Sequence, residues 1–232
     1  MVLRWRLRGG QRRLASAVVT PRPDLLARED LPSLPHQKRS LDKRARLKAA
    51  GRALFGAKGY ERASVEEIAE RAGLAVGTFY QHFRSKRQLL LSLMNELLER
   101  LGQLNLRPST EFDVQAGLHH LLSQAFATDL QYLGVYRAWQ EAALFDPDLA
   151  RKQTEIHAWT TARVESLFRL LSAQPGARPG VDIPSLARIM DSFFWNLLAQ
   201  AVHMPKVELD RWIESSTHLI YHALFRDLPC KP

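Results

Sequence analysis

The sequence contains one cysteine, Cys230, and no apolar run long enough to cross a bilayer. The longest apolar stretch, residues 193–202, is interrupted by Asn196 and Gln200. A lone cysteine excludes an internal disulfide and a zinc site built from cysteines. Residues 1–40 contain arginines but no unbroken apolar segment, so they lack the pattern of a secretory signal. Together these absences predict a cytoplasmic protein.

Patterns that would indicate an enzyme or a metal centre are also missing. No glycine-rich phosphate loop, nucleophile elbow or catalytic pair of carboxylates occurs, so nothing in the sequence supports catalysis. His218 and His222 lie four residues apart, on one face of a predicted helix, where two imidazoles can ligate a metal. No third ligand lies nearby, and the adjacent His119 and His120 point in different directions. We therefore predict no metal site and no cofactor.

The charge is distributed unevenly along the chain, whose net charge is +9. Residues 1–100 carry 21 lysines and arginines against 10 acidic residues, whereas residues 101–232 carry 12 against 14. This asymmetry predicts a polyanion-binding first part and a second part with another task. Charge alone fits DNA, RNA and an anionic membrane surface equally well.

The sequence pattern divides the chain into three regions. Residues 1–40 mix arginines with prolines and show no sustained helical period, which predicts a disordered basic arm. Such an arm is either a solvated tail or an additional contact to phosphates or to the minor groove. From Leu41 onward, hydrophobic residues recur at helical spacing. We predict a small helical head over 41–90 and a helical body over 91–232.

Start and stop signals define the helices of the head. The first helix begins near Asp42 and ends at the glycine of Lys58-Gly59-Tyr60. Ser64 and Glu67 form a capping-box pattern at the start of the second helix, which Gly73 ends. A third, short helix is predicted over 76–83, and Ser85 caps a fourth helix with a leucine stripe.

The remaining chain also reads as helices, so the predicted fold class is all-α. Asp146-Pro147 is a helix opening, because the N–H that proline lacks would be unpaired there anyway. Pro205 separates the last two helices. The predicted helices of the body are 111–128, 129–145, 147–173, 184–203 and 207–226.

The segment 64–83 has the ingredients of a helix-turn-helix, although many small helical proteins contain such a corner only for packing. Its second helix carries small and hydrogen-bonding side chains, namely Val76, Gly77, Thr78, Tyr80, Gln81 and His82. Gly77 allows close approach of the backbone to DNA. Thr78 and Tyr80 can donate to phosphates, while Gln81 and His82 can reach base edges.

Three basic residues follow at once, where the start of the next helix also favours a phosphate: Arg84, Lys86 and Arg87. The run Ala49–Leu90, AAGRALFGAKGYERASVEEIAERAGLAVGTFYQHFRSKRQLL, resembles the DNA-binding head of the TetR/AcrR family of transcriptional regulators. The resemblance implies that Thr78, Tyr80 and Lys86 hold the DNA backbone, with Ser64 contributing. It places Val76, Gly77, Gln81 and His82 at the major groove.

The same resemblance assigns the body to effector binding and dimerisation. In the family, the last two helices of each chain form the dimer interface, and the dimer reads a palindrome. The apolar candidates for this interface are Leu186, Ile189, Phe193, Leu197, Val202, Trp212, Leu219 and Leu224. Some of them must instead pack within the monomer.

A cavity for the effector is likewise implied by the resemblance. The plausible lining residues are Tyr132, Tyr136, Trp139, His157, Trp159, Phe193, Trp195, Asn196 and Gln200. As a set they favour a mostly apolar effector with a few polar anchors.

These observations predict a homodimeric, sequence-specific repressor that binds double-stranded DNA and is released by a small-molecule effector. One alternative is a ligand-independent regulator or an activator. A different class is a metal-dependent sensor or an enzyme on the helical body. A third is an RNA-binding or membrane-surface protein that acts through its basic arm.

Overall fold

The computed structural model describes residues 20–33, 37–104, 113–130, 132–201 and 204–226. Over these residues the chain forms nine α-helices and no sheet, as the all-α prediction expected. The helices are α1 Lys38–Lys58, α2 Val65–Arg71, α3 Val76–His82, α4 Lys86–Gln103, α5 Val114–Leu130, α6 Leu133–Ala143, α7 Pro147–Ser172, α8 Ile183–Ala201 and α9 Lys206–Leu224. None of these helices is long and apolar enough to span a membrane.

The head is built from α1, α2 and α3, which share one small core. Apolar residues at helical spacing bring one face of each helix together, and the buried members include Leu47, Phe55, Ile68, Phe79 and Phe83. The first helix begins at Lys38, ahead of the predicted start. The core fixes α3 at the surface of the head.

The body contains α5 to α9, and α4 connects it to the head. Nearly every apolar residue of α4 is buried, because the helix packs against α1 on one side and against α5 and α6 on the other. Within the body, α7 packs on α8 and α5 packs on α9. The long α4 therefore belongs to both cores.

The observed helix ends show which local signals decided them. Asp146 caps α7 as predicted, since its Oδ1 accepts hydrogen bonds from the N–H groups of Asp148 and Leu149 at 3.0 and 3.2 Å. By contrast, α5 continues to Leu130 and α6 begins at Leu133, past the predicted break before residue 129. No proline or side-chain cap marks that boundary, so the sequence placed it less well.

Residues 20–33, here called the N-terminal strap, are packed onto the protein. Leu25 is fully buried, and Arg22 donates to Asn95 Oδ1 of α4 at 2.9 Å. Lys152 of α7 donates to the backbone oxygen of Leu25 at 3.2 Å. The prediction of a disordered arm is therefore wrong for residues 20–33, because side chains of α4 and α7 satisfy polar groups of the strap. Residues 1–19 and 34–36 lie outside the described residues.

Candidate DNA interface and ligand cavity

The capping box predicted at the start of α2 is confirmed. Ser64 Oγ accepts a hydrogen bond from the Glu67 N–H at 3.1 Å, and the Glu67 carboxylate accepts one from the Ser64 N–H at 3.0 Å. Lys58 also donates to that carboxylate, and this hydrogen bond is the main reason that the pKa of Glu67 is lowered. The Ser64 side chain is half-buried at this helix start.

The turn between α2 and α3 depends on Gly73, whose φ of +63° lies in the left-handed region. The Leu74 N–H closes the turn by donating to the oxygen of Ala69 at 2.9 Å. Arg46 of α1 donates to the oxygens of Ala72 and Gly73, so the first helix also holds the turn. This arrangement sets the angle at which α3 leaves the head.

One face of α3 is open to solvent. Tyr80 is 50% exposed and Val76 36% exposed, and Gly77 and Gln81 are exposed beside them. A Cβ built on Gly77 would meet no atom within 4 Å, so packing inside the head does not require glycine there. Thr78 is half-buried at the edge of the face. Three residues of the predicted groove-facing set, Val76, Gly77 and Gln81, are exposed on this face, and one residue is not.

That residue is His82, whose predicted position at base edges is corrected by its burial. Its side chain is only 3% exposed because His82 follows Phe79 by three residues and shares its buried side of α3. Burial lowers the pKa of His82, and the neighbouring cations Arg44 and Lys43 lower it further. His82 therefore belongs to the head core, and Arg44 donates to its backbone oxygen at 2.8 Å.

Lys86 lies beside the open face and is partly engaged within the protein. Its Nζ donates to the backbone oxygen of Tyr60 at 2.8 Å and lies 4.3 Å from the centre of the Tyr60 ring. A weaker hydrogen bond of 3.3 Å reaches the oxygen of Glu61. An ammonium group has three donors, so one stays available to a phosphate. Lys86 thus joins the start of α4 to the turn after α1.

The predicted dimer face is partly exposed and partly internal. Ile189 is 64% exposed and Leu219 is 55% exposed, and the half-buried members beside them are Leu186, Phe193 and Trp212. Leu197 and Leu224 are each 1% exposed and pack inside the monomer. Their assignment to the dimer face is therefore corrected. Val202 lies outside the described residues.

A cavity of about 140 Å³, partly open to solvent, lies between α4, α5, α7, α8 and α9. Leucine and phenylalanine side chains make most of its wall, and Trp159 and Trp195 also line it. The polar residues in its wall are Thr160, Arg163 and Asp191. A cavity of this size is close to the ~150 Å³ that holds benzene in a dry protein interior. The cavity fits a small, mostly apolar ligand.

Several aromatic residues predicted for the cavity lie elsewhere, which corrects the predicted lining. Tyr136 and His157 do not line the cavity but contact Trp195, with ring centres 4.5 and 5.3 Å from its indole. Residues that do not line the cavity include the fully buried Tyr132 and Trp139, the half-buried Phe193 and the exposed Asn196 and Gln200. Periodicity alone gave no way to tell which buried aromatic faces a cavity.

The polar residues of the wall were missed by the sequence prediction, although each interrupts an apolar helix face. Thr160 Oγ1 accepts a hydrogen bond from Trp195 Nε1 at 3.2 Å. Asp191 is 5% exposed, and its Oδ2 accepts from the Thr161 hydroxyl at 2.9 Å. Burial lowers the pKa of Arg163, which donates to the oxygens of Leu101 and Leu104 at the end of α4 at 3.0 and 3.2 Å.

Three joints connect the head to the body through α6 and the turn that follows it. At the first joint, Gly134 of α6 crosses Gly56 of α1 so closely that a Cβ on Gly134 would lie 2.1 Å from Gly56 Cα. At the second, the Glu141 carboxylate accepts hydrogen bonds from the N–H groups of Tyr60 and Glu61 at 2.7 and 3.2 Å. The first joint fixes α6 against α1, and the second fixes it against the turn between α1 and α2.

The third joint is a cluster of charges around Arg87 of α4. Its guanidinium donates to Asp146 Oδ2 at 2.7 Å, to Asp148 Oδ2 at 2.5 Å and to Glu29 Oε1 at 2.8 Å. The Arg87 side chain is 27% exposed, so these pairs are partly shielded from water. Arg87 therefore ties together α4, the start of α7 and the strap.

No group of three or more histidine, cysteine or acidic side chains suited to a metal ion occurs in the part of the chain that the structure describes. His218 and His222 lie with their ring centres 6.0 Å apart on α9, and Gln115 of α5 contacts the His218 ring at 3.4 Å.

Comparison with known proteins places this geometry among bacterial regulators. A family model described as bacterial regulatory proteins, tetR family, matches residues 47–93. The HTH-type transcriptional regulator EthR of Mycolicibacterium smegmatis is 26% identical over 193 residues, which cover 81% of this chain and 88% of EthR. The HTH-type transcriptional repressor KstR of Rhodococcus jostii is 29% identical over 164 residues, covering 68% of this chain and 72% of KstR.

A solved structure shares the fold. NalD, the secondary repressor of the MexAB-OprM multidrug efflux pump in Pseudomonas aeruginosa, superposes with a TM-score of 0.59 at 23% sequence identity. The superposition covers 83% of this chain and 100% of NalD. The likeness therefore extends through the helical body as well as the head.

Proposed function

Because this chain belongs to the TetR family of DNA-binding transcriptional regulators, we propose that it is a homodimeric repressor released from a palindromic operator by a small apolar molecule. It would act in the cytoplasm, by binding rather than by catalysis. The observation that carries the proposal is the open face of α3. Tyr80 and Gln81 are exposed there, while Phe79 on the opposite side of the helix is buried in the core of the head.

The contacts with DNA divide into two sets. The backbone-holding set is Ser64, Thr78, Tyr80 and Lys86, whose hydroxyl and ammonium groups donate to phosphates. Val76, Gly77 and Gln81 would enter the major groove, where a glutamine amide can pair with an adenine edge. The side chain of His82 is not part of this set, because it is buried.

A second copy of the chain supplies the second head. The exposed apolar residues Ile189 and Leu219 lie on α8 and α9, beside the half-buried Phe193 and Trp212. Apolar side chains left in water on these helices favour burial against the same face of a partner. A two-fold dimer built this way reads two half-sites whose spacing follows the dimer axis.

Effector release follows from the position of the cavity. A ligand in the cavity would press on Trp195, which stacks on Tyr136 of α6 with ring centres 4.5 Å apart. Since α6 holds the head through Gly134 and Glu141, a shift of α6 changes the angle of the head. Two heads that no longer match the half-site spacing cannot contact both half-sites at once. The ligand and the operator therefore favour different conformations of the dimer, and binding of one weakens binding of the other.

Site selection from a random duplex DNA library tests the proposal. We expect the wild-type protein to enrich a palindrome, and Tyr80→Ala to bind it at least ~10-fold more weakly, because each head loses a charge-assisted hydrogen bond and its ring contacts. Tyr80 is half-exposed and lies outside the head core, so the melting temperature should stay close to wild type. Equal enrichment by the variant, or no enrichment by the wild-type protein, would contradict the proposal.

A cavity-filling variant tests the effector half of the proposal. Ala125 lines the cavity on α5, and Ala125→Phe would place a phenyl ring in the space meant for ligand. We expect this variant to bind the selected operator as tightly as the wild-type protein does. A compound that releases the wild-type protein from the operator should leave the variant bound. The measurement is operator binding during titration with a panel of small apolar molecules. Release of both proteins by the same compound would place the effector elsewhere.

A further inference from the structure

Arg84 occupies an unusual position, directly after the helix that faces DNA. It follows Gln81 by three residues and Tyr80 by four, and its side chain is 56% exposed. The next helix, α4, starts two residues later, and a helix N-terminus favours phosphate. Arg84 is thus an exposed basic side chain between the end of α3 and the start of α4.

Its guanidinium is already occupied by Asp30 of the strap. Arg84 Nη2 donates to Asp30 Oδ1 at 3.1 Å, and Nε lies 3.1 Å from Asp30 Oδ2. Arg84 Nε also donates to the backbone oxygen of Asp30 at 2.7 Å. A carboxylate presents the same charge sign and the same pair of acceptors to a guanidinium as a phosphate does. Asp30 therefore takes the place that a DNA phosphate would take.

The Asp30 carboxylate can separate from Arg84 without detaching the strap from the protein. Asp30 is 82% exposed on its side chain, and ion pairs in water add little to stability. The backbone oxygen of Asp30 also accepts from Gln88 Nε2 at 2.9 Å, and Gln88 is buried. Glu29 holds the strap through Arg87 at 2.8 Å. Loss of the Asp30–Arg84 pair leaves these contacts in place.

We propose that Asp30 lowers operator affinity by occupying Arg84, a phosphate-contacting residue, and that an operator phosphate displaces the Asp30 carboxylate on binding. This inference rests on the proposed DNA-binding function. Arg87 does not share the role, because Glu29, Asp146 and Asp148 surround it on the side of the body. The strap thus sets how strongly the head holds DNA.

The test is the operator affinity of Asp30→Asn measured as a function of salt. Because the Arg84 guanidinium loses its carboxylate partner and keeps only the backbone oxygen of residue 30, we expect binding to tighten by ~3- to 10-fold and the slope of log affinity against log salt to steepen by ~0.9 for each head. Glu165→Gln is the matched control, since it removes one carboxylate from an exposed pair with Arg169 on α7. That control should leave affinity and slope unchanged.

A double variant separates displacement from simple repulsion between Asp30 and DNA. In an Arg84→Gln background, Asp30→Asn should give no further gain in affinity. An equal gain with and without Arg84 would overturn the proposal, as would an unchanged affinity and slope in Asp30→Asn alone. Both results can be distinguished from failure of the proposed DNA-binding function, because in that case the wild-type protein itself would enrich no site from the library. Melting temperatures of all the variants verify that each one is folded.

Discussion

Gly134→Ala is expected to lower the melting temperature by roughly 6–12 °C, corresponding to about 3 kcal/mol in a chain of this size. The added Cβ would lie 2.1 Å from Gly56 Cα and 2.7 Å from Gly56 N, both backbone atoms of α1. No side-chain rotation relieves such a contact, so α1 and α6 must move apart. Because this crossing also positions the head, operator binding should weaken together with stability. Thermal denaturation followed by circular dichroism measures the first effect.

Gly117→Ala provides the matched control for this substitution. Gly117 is also a helical glycine, in α5, but a Cβ built there meets no atom within 4 Å. Alanine is favoured over glycine inside a helix by ~0.5–1 kcal/mol, so the melting temperature should stay level or rise by about 1–4 °C. Two glycine-to-alanine changes with opposite signs would establish the close crossing. A wild-type melting temperature for Gly134→Ala would show that the helices are not in contact there.

The parts of the fold that the sequence predicted best depend on neighbouring residues. The capping box of Ser64 and Glu67 and the cap at Asp146 are contacts within one turn of helix, and both lie where the pattern placed them. The glycine turn at Gly73 is equally local. The open face of α3 also followed, because helical spacing separates Tyr80 from the buried Phe79.

The parts that were predicted wrongly depend on residues distant in sequence. Leu25 stands in a segment without helical period, and its burial arises only because α4 and α7 offer polar groups to the strap. His82 was assigned to DNA by its chemistry, but its burial follows from the position of Phe79 one turn earlier. Trp139 and Trp195 are both buried, but only Trp195 lines the cavity. Tertiary packing decides this difference, and the local sequence does not show it.

The charge cluster around Arg87 leads to the second large effect. Arg87→Met should lower the melting temperature at pH 7 by roughly 4–12 °C, since removing one partner of a partly buried cluster costs about 2–3 kcal/mol. Methionine keeps most of the aliphatic stem but removes the cation that Glu29, Asp146 and Asp148 share, while Asp148 keeps its pairs with Arg151 and Lys152. Arg169→Met is the control, because its pair with Glu165 is exposed and adds little.

The pH dependence separates loss of the ion cluster from loss of packing. In the wild-type protein, burial tends to raise the pKa of Asp146, but the hydrogen bond and charge of Arg87 and the backbone N–H groups of Leu149 and Asp148 together outweigh this effect, and the pKa is lowered. A lowered pKa gives stability that is present above the ordinary pKa of about 4 and lost as the pH falls further.

In Arg87→Met the pKa of Asp146 is lowered less, because only the backbone hydrogen bonds from Leu149 and Asp148 remain to oppose burial. The variant therefore has less stability to lose in acid, so its deficit relative to the wild-type protein should shrink as the pH falls from about 5 to about 2. Melting curves across this range measure the difference between the two proteins. A constant difference at every pH would mean that the stability lost in Arg87→Met does not come from the ion pairs of Arg87.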